Sequence, residues 1–280
     1  MLQTVLGLDA ARIAAAFLVS PAAMSQRLVR AKAKIRDAGI TFEVPEAGEL
    51  HERVETVLEA IYAAFGSGWE DVAGADPRRR GLAEEAVWLG HLVARLLPHE
   101  PEALGLLALM LHCEARRPAR REENGRYVPL DRQDTGLWST RMIGEAEDLL
   151  STAARAGRPG HFQLEAAIQS AHARRSATGR TDWEAIALLY EGLLLCAPTT
   201  GARVGHAAAL ANVRGAELGL RALEAIRPEQ IASYQPYWAL RAHLLKQVGR
   251  ADDAADAYAR AIGLAEDAAV REFLTAESRA

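Results

Sequence analysis

The residues of this 280-residue chain whose types and spacing could do chemistry gather between Ser20 and Arg36. Ser25 and Gln26 carry a hydroxyl and an amide, groups that both donate and accept and so can read the edge of a base. Arg27, Arg30, Lys32 and Lys34 follow within two turns and carry the positive charge that phosphates need. The elements that must position these six side chains are legible too. Ser20 is a good N-cap, and Pro21 stands at the first helical position, where its missing N–H costs nothing. Met24, Leu28, Ala31 and Ile35 then recur at helical spacing and are expected to face a core, with the helix running to about Arg36. Ahead of it, Asp9 is expected to cap a short helix with Ile13, Ala14 and Phe17 on one face, and Leu18-Val19-Ser20 to form the turn. Such a pair is a helix-turn-helix, whose second helix enters the major groove with its N-terminal part on the base edges. Ser25 and Gln26 are then the base-edge candidates, and Arg27, Arg30, Lys32 and Lys34 the phosphate candidates. Ala22 and Ala23 offer only methyl contacts or close backbone approach. The competing reading of such a face is plain solvation.

Charge is distributed to match. Residues 1–39 hold Arg12, Arg27, Arg30, Lys32, Lys34 and Arg36 against Asp9 and Asp37, a balance of +4, whereas the chain as a whole carries −4. The remainder is therefore acidic, would repel DNA, and should face other partners.

These residues resemble a known family. Asp-x-x-x-Ile-Ala-x-x-Phe-x-Val-Ser followed by Met-x-x-Arg-Leu-x-Arg-Ala-Lys is similar to the promoter-reading C-terminal domain of extracytoplasmic-function sigma factors. The stretch FLVSPAAMSQRLVRAKAKIRDAGITFEVP, together with ALMLHCEARRPAR and DWEAIALLYEGLL, resembles the subgroup with a long tetratricopeptide-like extension. The resemblance covers nearly all of the chain. It implies binding of promoter DNA at the −35 element through the helix-turn-helix. It also implies protein partners for the extension: core RNA polymerase, the other sigma domains or a regulator. Members of the family have several helices before this point, including the domain that grips core polymerase. Residues 1–6 read as the tail of such a preceding helix, so the chain is expected to be the C-terminal part of a longer protein. The alternative is a tetratricopeptide-type interaction scaffold without independent DNA binding.

Composition agrees with an all-α chain. Half the residues are apolar, only 6% are aromatic, and alanine, leucine, glutamate and arginine dominate. No run of about 18 apolar residues suggests a membrane span, and the first residues lack a basic-then-apolar signal. Cys113 and Cys196 make neither a disulfide framework nor a zinc pattern. A cytoplasmic protein is the simple expectation.

The expected organisation is a helix-turn-helix over residues 1–39, a linker over 40–49 broken by Pro45 and Gly48, and a tetratricopeptide-like helical-hairpin solenoid over 50–280. Val54, Leu58, Ile61, Tyr62 and Phe65 form an apolar stripe that Gly66-Ser67-Gly68 is expected to stop. Helices follow over about 82–97, 101–115, 139–156, 161–174, 182–196, 202–213 and 215–227. In the last hairpin Trp238, Ala242, Gly249, Ala254, Tyr258 and Ala261 fall at the spacings of a tetratricopeptide repeat. The alanines let two helices approach, Gly249 makes the turn, and Trp238 and Tyr258 fill the gap between hairpins. Residues 266–276 are expected to cap the stack.

Arg116 to Trp138 is long and polar, yet it holds Tyr127, Val128, Leu130, Leu137 and Trp138 as apolar anchors. Arg116, Arg117 or Arg120 is expected to pair with Asp131 or Asp134 and fasten the loop, leaving Glu122-Glu123-Asn124-Gly125 as an exposed tip. No catalytic set emerges. The eight histidines are scattered, and His112-Cys113 sits on an apolar helix, where a core or rim histidine is expected. Gly66-Ser67-Gly68 lacks the lysine and strand of a phosphate loop, and no nucleophile elbow is present. Neither an enzyme, a metal, a cofactor nor a small-molecule substrate is expected.

Overall fold

Capping chemistry starts the first helices where the sequence places them. The computed structural model describes residues 2–4, 7–17, 19–39, 47–70 and 81–280. Asp9 Oδ1 accepts the backbone N–H of Arg12 at 2.9 Å and opens α1, Ala10–Ala16. Ser20 Oγ accepts the N–H of Ala23 at 3.2 Å, and Pro21 takes the first position of α2, Pro21–Asp37. Ile13 and Ala14 of α1 are buried together with Leu8 and Met24, and Leu28 is partly buried against them. Phe17, expected on that face, lies beyond the helix end and is exposed. The expected apolar stripe of α2 also stops early: Ala31 is exposed and Ile35 is 51% exposed. A short α1 covers only the first two turns of α2. Leu18 of the turn and residues 40–46 of the linker lie outside the described residues.

Two longer helices complete the first compact unit, Met1–Pro98. They are α3, Ala47–Glu70, and α4, Leu82–Leu96. The end of the expected linker belongs to α3, which contains Gly48. Leu58, Ile61 and Phe65 are buried as the stripe requires. Gly66-Ser67-Gly68 does not stop the helix, which runs through to Glu70. A Cβ at Gly68 would stand 2.5 Å from the backbone nitrogen of Ala83. This glycine is therefore there for close approach of α4, and the packing offsets the roughly 1 kcal/mol that glycine costs inside a helix. Ser67 satisfies its hydroxyl on the Ala63 carbonyl at 3.0 Å. Residues 71–80, including Asp76-Pro77 and Arg78-Arg79-Arg80, lie outside the described residues.

The second unit, His99–Ala280, is built around α5, Pro101–Ala115. Leu104, Leu106, Leu107, Met110 and Leu111 point in all directions and are all buried, the signature of a helix enclosed by others. It packs against α6, Thr140–Ala154, and α7, His161–Ala173. Glu102 of α5 caps α7 from across the interface. Its two oxygens accept the N–H groups of Phe162 at 2.9 Å and Gln163 at 3.2 Å, placing a carboxylate at a positive helix end. After a single turn, α8 at Arg175–Thr178, hairpins succeed one another. They use α9, Trp183–Cys196; α10, Thr200–Arg214; and α11, Ala216–Glu224. The short α12, Pro228–Ile231, leads into α13, Gln235–Gln247, then α14, Ala251–Leu264, and α15, Ala268–Arg279. Each mainly touches the next, which makes the unit solenoid-like and the described chain all-α.

The last hairpin carries the expected repeat core, with one exchange. Ala242, Ala254 and Ala261 are buried where α13 meets α14, Tyr258 is buried beside them, and Gly249 makes the turn at φ +77°. Trp238 is only partly buried. Its Nε1 donates to the Ile231 carbonyl at 2.9 Å, and the Arg260 guanidinium lies 4.2 Å from the ring centroid. The neighbouring Tyr237 is the buried aromatic.

The loop from Arg116 to Trp138 is ordered by partners other than those expected. Among the described residues, no ion pair joins Arg116, Arg117 or Arg120 to Asp131 or Asp134. Arg117 grips Glu114 one turn back with two bonds, at 2.7 and 2.6 Å. Asp134 uses its carboxylate on its own turn, accepting the Gly136 N–H at 2.8 Å. The fork that reaches residue 131 belongs to Arg175, which donates to the carbonyls of Asp131 at 2.6 Å and Gln133 at 2.8 Å. Arg175 also lies over the buried ring of Trp138, 5.1 Å from its centroid. Leu137, expected as an anchor, is 52% exposed. Further along, Arg121 pairs with Asp267, Arg132 pairs with Glu277 at 2.8 Å, and Tyr127 meets Phe273 edge-on at 5.5 Å. The loop thus fastens to α15, some 145 positions away in sequence. The helix expected merely to end the stack is tied back to its start. The tip, Glu122 to Gly125, is exposed as expected, beyond an antiparallel bridge between Arg121 and Tyr127.

Candidate nucleic-acid interface

Burial of Met24 fixes which way α2 faces. Met24 is 8% exposed and locks the first two turns of α2 onto Leu8, Ile13 and Ala14. Every candidate that the sequence offered for DNA is on the other sides. Ser25, Gln26, Arg27, Arg30, Lys32 and Lys34 are all exposed. Arg30 bonds back along the helix, Nε to the Gln26 carbonyl at 3.4 Å, and so stays close to the helix wall. Arg36 meets Asp37 at 3.3 Å. Lys34 and Arg36 stand in the last turn, where the negative helix end favours cations.

Ser25, Gln26, Val29 and Arg30 together line an open depression on this face. Val29 is the member that a sequence reading passes over. An apolar residue in a helix is read as core, yet Val29 is 66% exposed. The available signal was its offset from Met24, five positions on and so toward the far side of the helix. Chemically the arrangement is a row of hydrogen-bonding and methyl groups bordered by guanidinium and ammonium groups, on a helix whose N-terminal half is held firmly.

The titratable groups of the second unit do not form a comparable site. His112 of α5 is buried in the core; burial, helped by the nearby Arg116 charge, pushes its pKa down to about 4. Glu147 Oε1 lies 3.4 Å from its Nε2, but that oxygen accepts the Ser170 hydroxyl at 2.6 Å, and among the described residues neither imidazole nitrogen has hydrogen-bond geometry to a partner. His172 is lowered to about 4 by burial and by Arg116 and Arg175, and its ring packs edge-on to Trp183. Burial pushes the Tyr190 hydroxyl up to about 12. These are neutral packing groups. Among the described residues, no helix is long and apolar enough to cross a membrane.

The fold and this face define a class: an all-α chain with a helix-turn-helix that presents a cationic second helix, accompanied by helical hairpins. Residues 53–154, from α3 to α6, match a family described as of unknown function, DUF6596. An uncharacterized protein of Rhizobium meliloti (strain 1021) is 42% identical over 273 residues, which cover 98% of this chain and 64% of that protein. The chain therefore spans less than two thirds of the length of that relative. No solved structure matches the present chain.

Proposed function

We propose that this chain is the C-terminal part of an alternative sigma factor of the extracytoplasmic-function kind, acting in the cytoplasm in transcription initiation. The helix-turn-helix binds the −35 promoter element, and the helical extension binds protein, either core RNA polymerase or other sigma domains. The observation that carries this reading is the geometry of α2: Ser20-capped, anchored by Met24, and exposing Ser25, Gln26, Arg27, Arg30, Lys32 and Lys34 together. The activity of a whole protein as long as the relative belongs to the same proposal.

The test is binding of duplex DNA by the full chain at 50 and 200 mM salt. Each phosphate neutralised adds about 0.9 to the slope of log affinity against log salt. The combined Arg27→Ala, Arg30→Ala and Lys32→Ala variant should bind far more weakly and with a flatter slope. Equal affinity of variant and wild type would overturn the reading. The second reading, an interaction scaffold without DNA binding, draws on Leu188 and Leu195. Both are exposed on α9, two turns apart, as a surface awaiting protein.

A further inference from the structure

The outward face of α2 is not uniformly basic, and its pattern specifies what kind of base step it fits. With Met24 pointing inward and each residue turning the helix by about 100°, Ala22, Gln26 and Val29 stand roughly opposite Met24. Arg27, Arg30 and Lys34 border that strip on one side, and Ser25 and Lys32 on the other. Cations on both flanks suit the two phosphate backbones that wall the major groove. The middle of the strip then meets the base edges and is nearly free of charge.

Two members of this strip are informative. Glutamine is the side chain whose amide matches adenine, accepting from N6 and donating to N7. Val29, 66% exposed, offers two methyl groups and no hydrogen bond. The major-groove edge that welcomes such a surface is the 5-methyl of thymine. The two residues are three positions apart, hence neighbours on one helix face, and they line the same depression.

We propose that Gln26 and Val29 are the specificity-determining pair of this interface, and that they select A·T base pairs, Gln26 through adenine and Val29 through the thymine methyl. This rests on the DNA-binding reading given above. Arg30, bonded back to the Gln26 carbonyl, holds to the strip's edge and contributes phosphate contact rather than base choice.

The experiment uses the full chain. Duplexes are selected from a randomised pool at low salt, and the preferred sequence is then remade with deoxyuridine in place of thymidine, which removes only the methyl group. Wild type should lose about fourfold in affinity at one position, the size expected for one methyl group withdrawn from water. Val29→Ala should bind both duplexes alike while keeping its adenine preference. Gln26→Ala should lose roughly tenfold of its preference for adenine while keeping the methyl effect. Both side chains are exposed, so neither change threatens folding. Selection of a sequence without A·T pairs, or equal binding of thymidine and deoxyuridine duplexes by wild type, would overturn the pair and leave DNA binding intact. Failure to bind any duplex would overturn the reading beneath it and the pair with it.

Discussion

The helices α2 and α5 begin alike and end in opposite circumstances. Each has an oxygen-bearing N-cap, Ser20 or Glu100, and each has proline at its first position. They are 17 and 15 residues long. Past the first turn they diverge. α2 buries Met24 and leaves its second half exposed, whereas α5 is enclosed between α6 and α7. The start of a helix is thus a local matter of orphan N–H groups, and it says nothing about the helix's purpose. Purpose follows from how many sides are covered. α5 is held from several sides and organises its unit; α2 is held on one side and leaves the rest exposed.

The largest expected effect that would sharpen this contrast is on stability. Leu106→Ala, in the middle of α5 and fully buried, should cost about 2–5 kcal/mol. Ile35→Ala in the exposed half of α2 should change stability by less than about 0.5 kcal/mol. Denaturant midpoints measure both. Similar costs at the two sites would show that α2 is packed against something and is not a presented surface.

Next in size is the pH dependence that His112 gives to α5. Its folded pKa, about 4, lies below the ordinary value of 6.5. The unfolded chain therefore takes up a proton in a range where the folded chain does not, so stability falls as pH drops from about 6.5 toward 4 and is unaffected above that window. At about 1.4 kcal/mol per pKa unit, the loss is on the order of 3 kcal/mol at the acid end. His112→Gln should remove a corresponding part of the slope in unfolding measured between pH 7 and 4. An unchanged slope would mean that the buried imidazole accepts its proton with the help of Glu147. No change within α2 should affect this slope, because α2 carries no histidine.

A smaller effect tests how α5 organises its neighbour. Glu102→Ala removes the acceptor for the first N–H groups of α7 and should cost about 1–2 kcal/mol. Glu102→Gln, which keeps one oxygen, should cost less. Hydrogen exchange should rise first over residues 161–164. A uniform rise across residues 99–280 would mean that the cap is not local.

The smallest expected effect on folding is at the candidate interface itself. Arg30→Ala should leave stability within about 0.5 kcal/mol while weakening binding to all DNA sequences alike. A variant that lost stability and binding together would show that Arg30 supports the helix, not a ligand.

Much of the architecture was legible because its causes are local. Ser20-Pro21, Asp9 and Gly249 each fix a helix start or a turn through groups within a few positions. Alanines at 242, 254 and 261 declared a close helix contact by their size alone. The face of α2 was legible for the same reason, since charge and amide groups sort by helical periodicity. At Gly66-Ser67-Gly68 the sequence is ambiguous, because glycine has two meanings, chain break and close approach, and only the position of Ala83 tells them apart. The exposure of Val29 is not legible in the sequence, because exposure of an apolar side chain depends on how far α1 reaches along α2.

The sequence by itself determined that the chain is helical, where most helices begin and end, and that the cations gather on one of them. Helix propensity, caps and periodicity act over a turn or two, so one dimension suffices. Tertiary structure decided the partners of the long loop. Arg121, Arg132 and Arg175 were as arginine-like as Arg116 or Arg120, and nothing in their neighbours marked them as the ones that fasten it. Their carboxylates, Asp267 and Glu277, lie some 145 positions away, and the carbonyls that Arg175 holds lie more than 40 positions away. Which charges meet over such separations is settled by how the hairpins stack, because an ion pair forms between whichever opposite charges the packed helices bring within reach.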